Sequence, residues 1–229
     1  MKLVALLVLP FLLLGCGTHF KIYVDSINSG STTNNLEYFI ASGMKGIYES
    51  DLQFKEFSDY VVKSLKSRGY KVTKNLEDAE AIVLLSYAIS DPKEFTKSVP
   101  IFGQTGISSS TTYGTISSLG SGSSTFSGTT NYTPSYGITG YAPITRINYT
   151  RQIKLVAIDW ATYKNNDKEK ILWQTNVIST GTSGDLRRVF PVMIAAATPY
   201  IGNNTEKQVK VVLKENNKKV KIIKGILEE

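Results

Sequence analysis

The sequence predicts an α+β fold, in which two main helices pack on a single mixed β-sheet domain. Two stretches of the chain repeat apolar residues every three or four positions, as a helix with one buried face requires. Residues 81–89 are almost continuously apolar, which is typical of a strand buried on both faces of a sheet. With 229 residues, 41% of them hydrophobic and 20% charged, the chain is long enough to enclose such a core.

The first elements are two strands and a helix. Alternation at residues 20–24 and an apolar stretch at 36–41 predict the strands. Ser50 followed by Gln53 three positions later fits a capping box, and Gly69 can end the helix in a left-handed conformation. One apolar stripe should then cover a sheet; it contains Phe54, Phe57, Val61 and Leu65.

Two further strands complete the first half. Residues 70–74 alternate, and residues 81–89 form the probable centre of the sheet. Asp91-Pro92 ends this strand, because proline has no amide hydrogen and restricts the residue before it.

Residues 98–145 contain no charged side chain and form a low-complexity insert in the domain. In the stretch 102–140, 27 of 39 residues are Gly, Ser or Thr, a composition that a flexible linker would share. Large apolar side chains recur throughout the insert, although a solvated linker does not need them. We therefore predict a partly ordered loop or hairpin whose aromatic residues form a binding surface: Phe102, Tyr113, Phe126, Tyr132, Tyr136 and Tyr141.

The second half is predicted to repeat the order strand, strand, helix, strand, strand. Residues 147–163 and 168–180 read as a hairpin with a turn at 165–167. Ser183, Gly184 or Asp185 can cap a helix. Seven residues share one face of this helix: Leu186, Val189, Phe190, Met193, Ala197, Tyr200 and Ile201.

The end of this helix and the last strands complete the second half. Pro191 should kink the helix or mark a late start. Gly202 closes the helix, and residues 209–213 and 220–223 predict a final strand hairpin.

Few residue types that support catalysis are available. One Cys and one His exclude a disulfide framework, a Cys/His metal cluster and a histidine-dependent triad within the domain. Ser90 and Lys93 match the S-x-x-K pattern of serine acylases, but Pro92 opposes the helix that this pattern needs. We therefore predict a protein that is not an enzyme, with no catalytic residue, no metal and no cofactor.

The N-terminus carries the most specific pattern in the chain. Lys2 precedes an apolar run of 12 residues, 3–14, which is too short to span a bilayer, and Leu13-Leu14-Gly15-Cys16 follows. This segment resembles a bacterial lipoprotein signal with its lipobox. The resemblance implies cleavage of a signal peptide, residues 1–15, and acylation of Cys16, followed by a lipidated tether at 16–19 and a domain at 20–229. Gly17 after the cysteine is compatible with export to the outer membrane, with the domain facing the periplasm.

The partners that the positive charge of the chain can meet depend on this compartment. Its formal net charge is +7, and residues 206–229 hold seven Lys against four Glu. Outside the cytoplasm, nucleic acid is an improbable partner, whereas anionic headgroups and cell-wall polymers are nearer. The lysine-rich end is either a solvated surface or a patch for an anionic partner.

The chain also resembles a bacterial outer-membrane lipoprotein family that is defined by a domain of unknown function. The resemblance covers roughly residues 51–201. Its distinctive pieces are residues 99–106, 149–159, 172–174 and 184–191. It implies a compact α+β domain that serves envelope assembly or maintenance, and it transfers no catalytic residue.

Three hypotheses about function follow. The first is a membrane-anchored, non-enzymatic lipoprotein that presents a binding surface to another envelope component. The second is a module that binds peptidoglycan or polysaccharide through Trp160, Trp173 and the lysine-rich end, although core packing explains both tryptophans more simply. The third is an envelope hydrolase that uses carboxylates near the first helix, Asp51, Glu56 and Asp59.

Overall fold

The computed structural model describes residues 18–30, 35–120, 122–166 and 168–228, and it has the predicted fold class. Its described residues form a mixed sheet of eight strands with four helices. Cys16 and the whole signal segment lie outside the described residues. The strands are β1 (His19–Asn28), β2 (Glu37–Ser42), β3 (Lys71–Val72), β4 (Ala81–Ile89), β5 (Lys93–Leu119), β6 (Ser123–Asp159), β7 (Ile171–Gly181) and β8 (Val209–Lys214). The helices are α1 (Leu52–Ser67), α2 (Trp160–Asn166), α3 (Leu186–Ala197) and α4 (Lys218–Ile223), and a 3₁₀ turn, Thr198–Tyr200, follows α3.

The sheet is ordered β3-β2-β4-β6-β7-β1-β8, and β5 pairs with β6. β2 runs parallel to β3 and β4, whereas the pairs from β4 through β8 are antiparallel. The central position of β4 agrees with its apolar sequence, since this strand is paired on both edges.

By internal contacts the chain divides into two compact units. We call the first the sheet domain; it contains the chain up to Lys93 and the chain from Asn148 onwards. We call the second, Glu94–Ile147, the ribbon.

In the sheet domain, α1, α3 and α4 pack together on one face of the sheet. The centre of this layer is aromatic: the rings of Phe57 and Phe190 stack with centroids 3.9 Å apart, and Tyr87 meets Phe57 edge-on at 4.8 Å. Trp173, Tyr38 and Tyr70 form a second aromatic group in the same core. The stripe of α1 and the stripe of α3 from Leu186 to Ala197 are therefore buried. The prediction that this second helix runs on to Gly202 is wrong, because α3 ends at Ala197 and the half-buried Tyr200 lies in the 3₁₀ turn.

The two main helices begin at aspartates. Asp51, rather than Ser50, caps α1, because its carboxylate accepts hydrogen bonds from the Gln53 and Phe54 amides. Asp185 caps α3 through the Arg188 amide at 3.1 Å. Pro191 is buried within α3, so the predicted late start at this residue is wrong.

Two predicted strand segments are helical. Residues 160–163, expected at the end of a long strand, begin α2, because the Asp159 carboxylate accepts the Thr162 amide at 2.9 Å and turns the chain. The last predicted strand, 220–223, lies in α4, where the Asn217 side chain caps the start. Val220 and Ile223 are both buried at a spacing of three, a spacing that fits one helix face as well as a short apolar strand.

Within the described ranges, none of the helices combines the length and apolar character needed to cross a bilayer.

Candidate functional site

The ribbon is an antiparallel pair of strands that confirms the predicted hairpin. β5 pairs with β6, and a glycine with positive φ, Gly122 at +83°, lies where the chain reverses between them. At about 3.3 Å per residue, the 27 residues of β5 extend for about 90 Å. An isolated two-stranded ribbon is at best marginally stable in water, so its length demands an explanation.

Hydroxyl groups join the two strands of the ribbon. Thr96 and Thr145 contact each other through their Oγ1 atoms at 3.0 Å. Thr112 and Thr130 do the same at 2.8 Å, and the Thr105 hydroxyl lies 3.2 Å from that of Ser135. Such cross-strand pairs set the register without charged side chains.

All six aromatic residues predicted as a binding surface are exposed on the ribbon. Their exposed fractions run from 59% for Phe126 to 74% for Tyr136. Most residues along both strands are exposed, so both faces of the ribbon meet solvent. Ile101 and Ile144, which were not predicted as part of this surface, add to it near the base and are 48% and 41% exposed. Their position inside the uncharged insert is the sequence signal that could have found them.

The ring of Phe126 covers the backbone of two glycines, Gly114 and Gly128. A Cβ at Gly114 would collide with the Phe126 ring, and one at Gly128 would lie 2.7 Å from Phe126 Cζ. Only residues without a side chain allow this contact, in which an aromatic ring covers glycine backbone on a strand pair. The arrangement accounts for the glycines at these two positions of the ribbon.

The other residues that the sequence analysis singled out do not form a common site. Trp173 is 1% exposed, and its Nε1 donates to the Tyr38 hydroxyl at 3.4 Å in the core, so it offers no platform to a sugar. Trp160 opens α2 and stacks on Tyr163 with centroids 5.4 Å apart, with Lys164 Nζ over its ring. His19 is exposed at the start of β1.

Of the three carboxylates near the first helix, Asp51 and Glu56 each have local hydrogen-bond partners. Asp51 caps α1, whereas Glu56 accepts from Arg187 Nε at 2.6 Å and from the Tyr60 hydroxyl at 3.0 Å. Burial, together with this hydrogen bond and the charge of Glu56, raises the pKa of Tyr60 to about 12. These contacts of Glu56 link α1 to α3 and stabilise the helix layer.

Ser90 also has local partners. Its hydroxyl donates to the Asp91 carbonyl at 2.9 Å and accepts the Thr150 amide at 3.0 Å. It follows the end of β4, and Lys93 begins β5, so the two residues do not share a helical turn. Over the described residues, no three His, Cys, Asp or Glu side chains are grouped as a metal site would need.

One buried cation was not anticipated from the sequence. Arg151 is 1% exposed; its Nη1 donates to the Ser183 carbonyl at 2.7 Å, and its Nε donates to the Ser179 carbonyl at 3.3 Å. Burial lowers the pKa of this guanidinium. A Cβ at Gly181 would lie 3.0 Å from Arg151 Nη2, which explains the glycine there. Arg151 therefore fixes the loop between β7 and α3.

A cavity of about 390 Å³ lies between α1 and the edge of the sheet. Phe39 and Phe54 contribute apolar lining, and the charged lining residues are Lys55, Lys66 and Lys74 with two carboxylates, Glu49 and Asp59. Opposite charges around an apolar floor match no single class of ligand. The ribbon is consequently the strongest candidate for a functional surface.

Comparison with known proteins assigns no family. No family model matches the chain, and no curated protein matches it. Among solved structures, a PDZ domain protein from Parabacteroides distasonis ATCC 8503 aligns with a TM-score of 0.38 and 11% sequence identity. The alignment covers 86% of this chain and 40% of that chain, so this chain spans about 40% of the length of its structural neighbour. A likeness at this level carries no conclusion about function.

Proposed function

We propose that this protein is a membrane-anchored bacterial envelope lipoprotein that has no enzymatic activity and binds another envelope component through its ribbon. The observation that carries the binding role is the exposure of six aromatic side chains in the part of the ribbon that has no charged residue, 98–145. The anchoring role is supported by the resemblance of residues 1–16 to a lipoprotein signal.

The composition of the ribbon favours protein binding. Tyrosine and phenylalanine supply large, rigid contact areas at low cost in conformational entropy, and Ser, Gly and Asn supply adaptable hydrogen bonds. Patches of exposed apolar surface larger than a few hundred Å² are uncommon on monomeric soluble proteins and mark interaction sites. Because the ribbon has no charge at residues 98–145, its partner is selected by shape, stacking and backbone hydrogen bonds.

The binding role is tested by removing the rings while keeping the strands. In the full chain, Phe102, Tyr113, Phe126, Tyr132, Tyr136 and Tyr141 are all replaced by Thr, which retains β propensity. The matched control keeps the rings and changes six exposed hydroxyl residues of the ribbon. The serines are replaced by Ala and the threonines by Val or Ser, at Ser109, Ser117, Thr125, Thr129, Thr133 and Thr139. After cross-linking in cells, envelope proteins that co-purify with the parent and the control should be lost from the ring variant. Retention of these proteins by the ring variant would place the contact elsewhere.

The anchor is tested separately. A palmitate analogue should label the parent chain and leave Cys16→Ser unlabelled, and the Cys16→Ser chain should leave the membrane fraction. Labelling of Cys16→Ser, or an unlabelled parent dissolved in the cytosol, would contradict the anchor.

A second candidate function is binding of an anionic cell-wall polymer. It is favoured by Lys210, Lys214, Lys218 and Lys219, which are exposed in β8, α4 and the turn between them and join no ion pair among the described residues. Purified sacculi should retain the protein at low salt and release it at moderate salt, since exposed charges are screened over about 10 Å at 0.1 M salt. Retention that does not change with salt would exclude this basic surface.

A further inference from the structure

The ribbon presents two strand edges along most of its length. Among the described residues, β5 pairs only with β6. The pairing of β6 with β7 begins at Tyr149, and its pairing with β4 begins at Arg151, both beyond the ribbon. Each strand of the ribbon therefore has a row of backbone N–H and C=O groups that no described strand pairs with.

Soluble proteins commonly protect such edges with charges and prolines, and along the ribbon these residues extend from the base only as far as Pro134, beside the pairs Thr105–Ser135 and Ser108–Thr133. Lys97 and Arg146 are the last charged residues before the uncharged stretch, and Pro100, Pro134 and Pro143 interrupt the edges because they have no amide hydrogen. Between residues 101 and 133 the chain has neither a charge nor a proline. We call residues 107–131 the distal half of the ribbon.

The distribution of charge favours a second copy of this chain as the occupant of this edge. The chain has a net charge of +7, all of it outside residues 98–145. Two copies repel each other over the rest of their surfaces, whereas the distal halves can approach without like-charge repulsion. An acidic partner, in contrast, would be attracted to the charged sheet domain and not to the ribbon.

We infer that the distal half of the ribbon pairs edge to edge with the distal half of a second copy of this chain. An antiparallel pair of identical edges has two-fold symmetry, so each donor row faces the acceptor row of the other copy. The pairing places exposed side chains such as Tyr113 and Phe126 on a four-stranded surface, which is wide enough for cross-strand packing. The inference goes beyond the proposed function, because it concerns contact between copies of this chain, whereas the proposed function concerns another envelope component.

The test uses single cysteines in the full-length chain in intact cells, because an acylated Cys16 has no free thiol. Cysteine replaces Ser109, Thr111, Ser117, Thr125 or Thr129 in the distal half, and Ser98 or Thr145 in two control variants near the base. In a symmetric antiparallel pair, one position lies opposite itself across the two-fold axis. Disulfide-linked dimers on non-reducing gels should therefore peak at one distal position, at about ten times the control amount, and fall on both sides. The parent chain, run beside them, reports any dimer formed through Cys16.

A second substitution decides whether the cross-link reports pairing. Added to the best cross-linking variant, a lysine one residue from the peak on the same strand should reduce the dimer about tenfold, because the two copies then place like charges diagonally across the two-fold axis and an edge lysine opposes strand pairing. Thr145→Lys at the base adds the same charge and should leave the dimer unchanged. A flat scan, or a peak that survives the distal lysine, would overturn the inference.

These outcomes separate the inference from the proposed function. If the ring variant loses its envelope partners while the cysteine scan is flat, the ribbon binds another component and copies do not pair. If the scan peaks while co-purification is unaffected by the ring variant, the pairing stands and the proposed binding of another envelope component fails.

Discussion

Replacing Arg151 should show how a buried cation without a carboxylate partner stabilises this fold. The guanidinium is 1% exposed and donates to the Ser183 carbonyl, the Ser179 carbonyl and, from Nη2 at 3.3 Å, the Ser179 hydroxyl. No described Asp or Glu forms an ion pair with it. Its charge is therefore balanced only by oxygen dipoles, and the cost of burial lowers its pKa.

Three substitutions at this position separate charge, shape and hydrogen bonding. Arg151→Lys keeps a buried charge, but a lysine ammonium cannot donate to these oxygens in the planar geometry of a guanidinium. We therefore expect a loss of about 2–3 kcal/mol in the free energy of unfolding. Arg151→Ala leaves a cavity and should cost a similar amount, about 2–4 kcal/mol. Arg151→Met fills most of the volume without a charge. It orphans mainly the Ser183 carbonyl, because the Ser179 hydroxyl also donates to the Lys21 carbonyl at 2.9 Å. Its cost should be about 1 kcal/mol or less, since removing a buried charge offsets part of the lost hydrogen bonding.

Urea unfolding followed by tryptophan fluorescence measures these losses, because Trp173 is buried in the same core. With a denaturant dependence of about 2–3 kcal/mol per M, the lysine variant should lower the midpoint by about 1 M. Circular dichroism in the far ultraviolet provides an independent probe of the same transition. If Arg151→Lys is the least destabilising of the three, a retained charge matters more than the fork of donors, and the reasoning is refuted.

Three further predictions concern the helix layer, each checked by urea unfolding. Phe57→Ala should cost about 3–5 kcal/mol, because the ring stacks on Phe190 at 3.9 Å; a loss below about 1 kcal/mol would contradict this core. Asp185→Ala should cost about 0.5–2 kcal/mol by removing the cap of α3, whereas Asp185→Asn, which keeps an acceptor, should cost less than the alanine variant. The hydrogen bond from Arg188 lowers the pKa of Glu215, so its contribution is present above the unfolded pKa and lost as pH falls through the folded pKa. Glu215→Gln should therefore be less stable than the parent by under about 1 kcal/mol at about pH 7 and equal to it at about pH 2; a difference that persists in acid would count against this ion pair.

The proposals differ in which part of the chain they depend on. The lipid anchor depends on Cys16 alone, and the pairing of copies depends on the distal half of the ribbon. The anchor and ribbon tests can therefore fail independently. A protein that is anchored but does not pair would still leave its envelope partner to be identified by the ring variant.

Periodicity determined the parts of this fold in which one sequence pattern fits one structure. The stripe from Phe54 to Leu65 and the central place of β4 in the sheet could be read directly, because a sixteen-residue amphipathic helix and a long apolar strand have distinct patterns. Burial of β4 on both faces was predicted and is wrong beyond Leu85, since Ser86 and Tyr87 are half-buried and Ile89 is 38% exposed. In the uncharged insert, the recurring aromatic residues argued against a solvated linker but left a loop and a hairpin open, and the structure shows the hairpin. Its exposed rings were predicted as a surface from their residue types alone.

Tertiary structure decided the other parts of the fold, in which one sequence pattern fits several structures. Val220 and Ile223 suit a short strand or a single helical turn, and the Asn217 cap and the neighbouring helices selected the helix. Arg151 reads as an ordinary strand charge until Ser179 of β7 and Ser183 of the β7–α3 loop bring carbonyl and hydroxyl oxygens to it. The edges of the ribbon were also not visible in the sequence, because whether a strand is paired depends on which other strands reach it. Local patterns record the environment of a residue along its own element, whereas burial of a charge and openness of an edge depend on contacts between residues far apart in the chain.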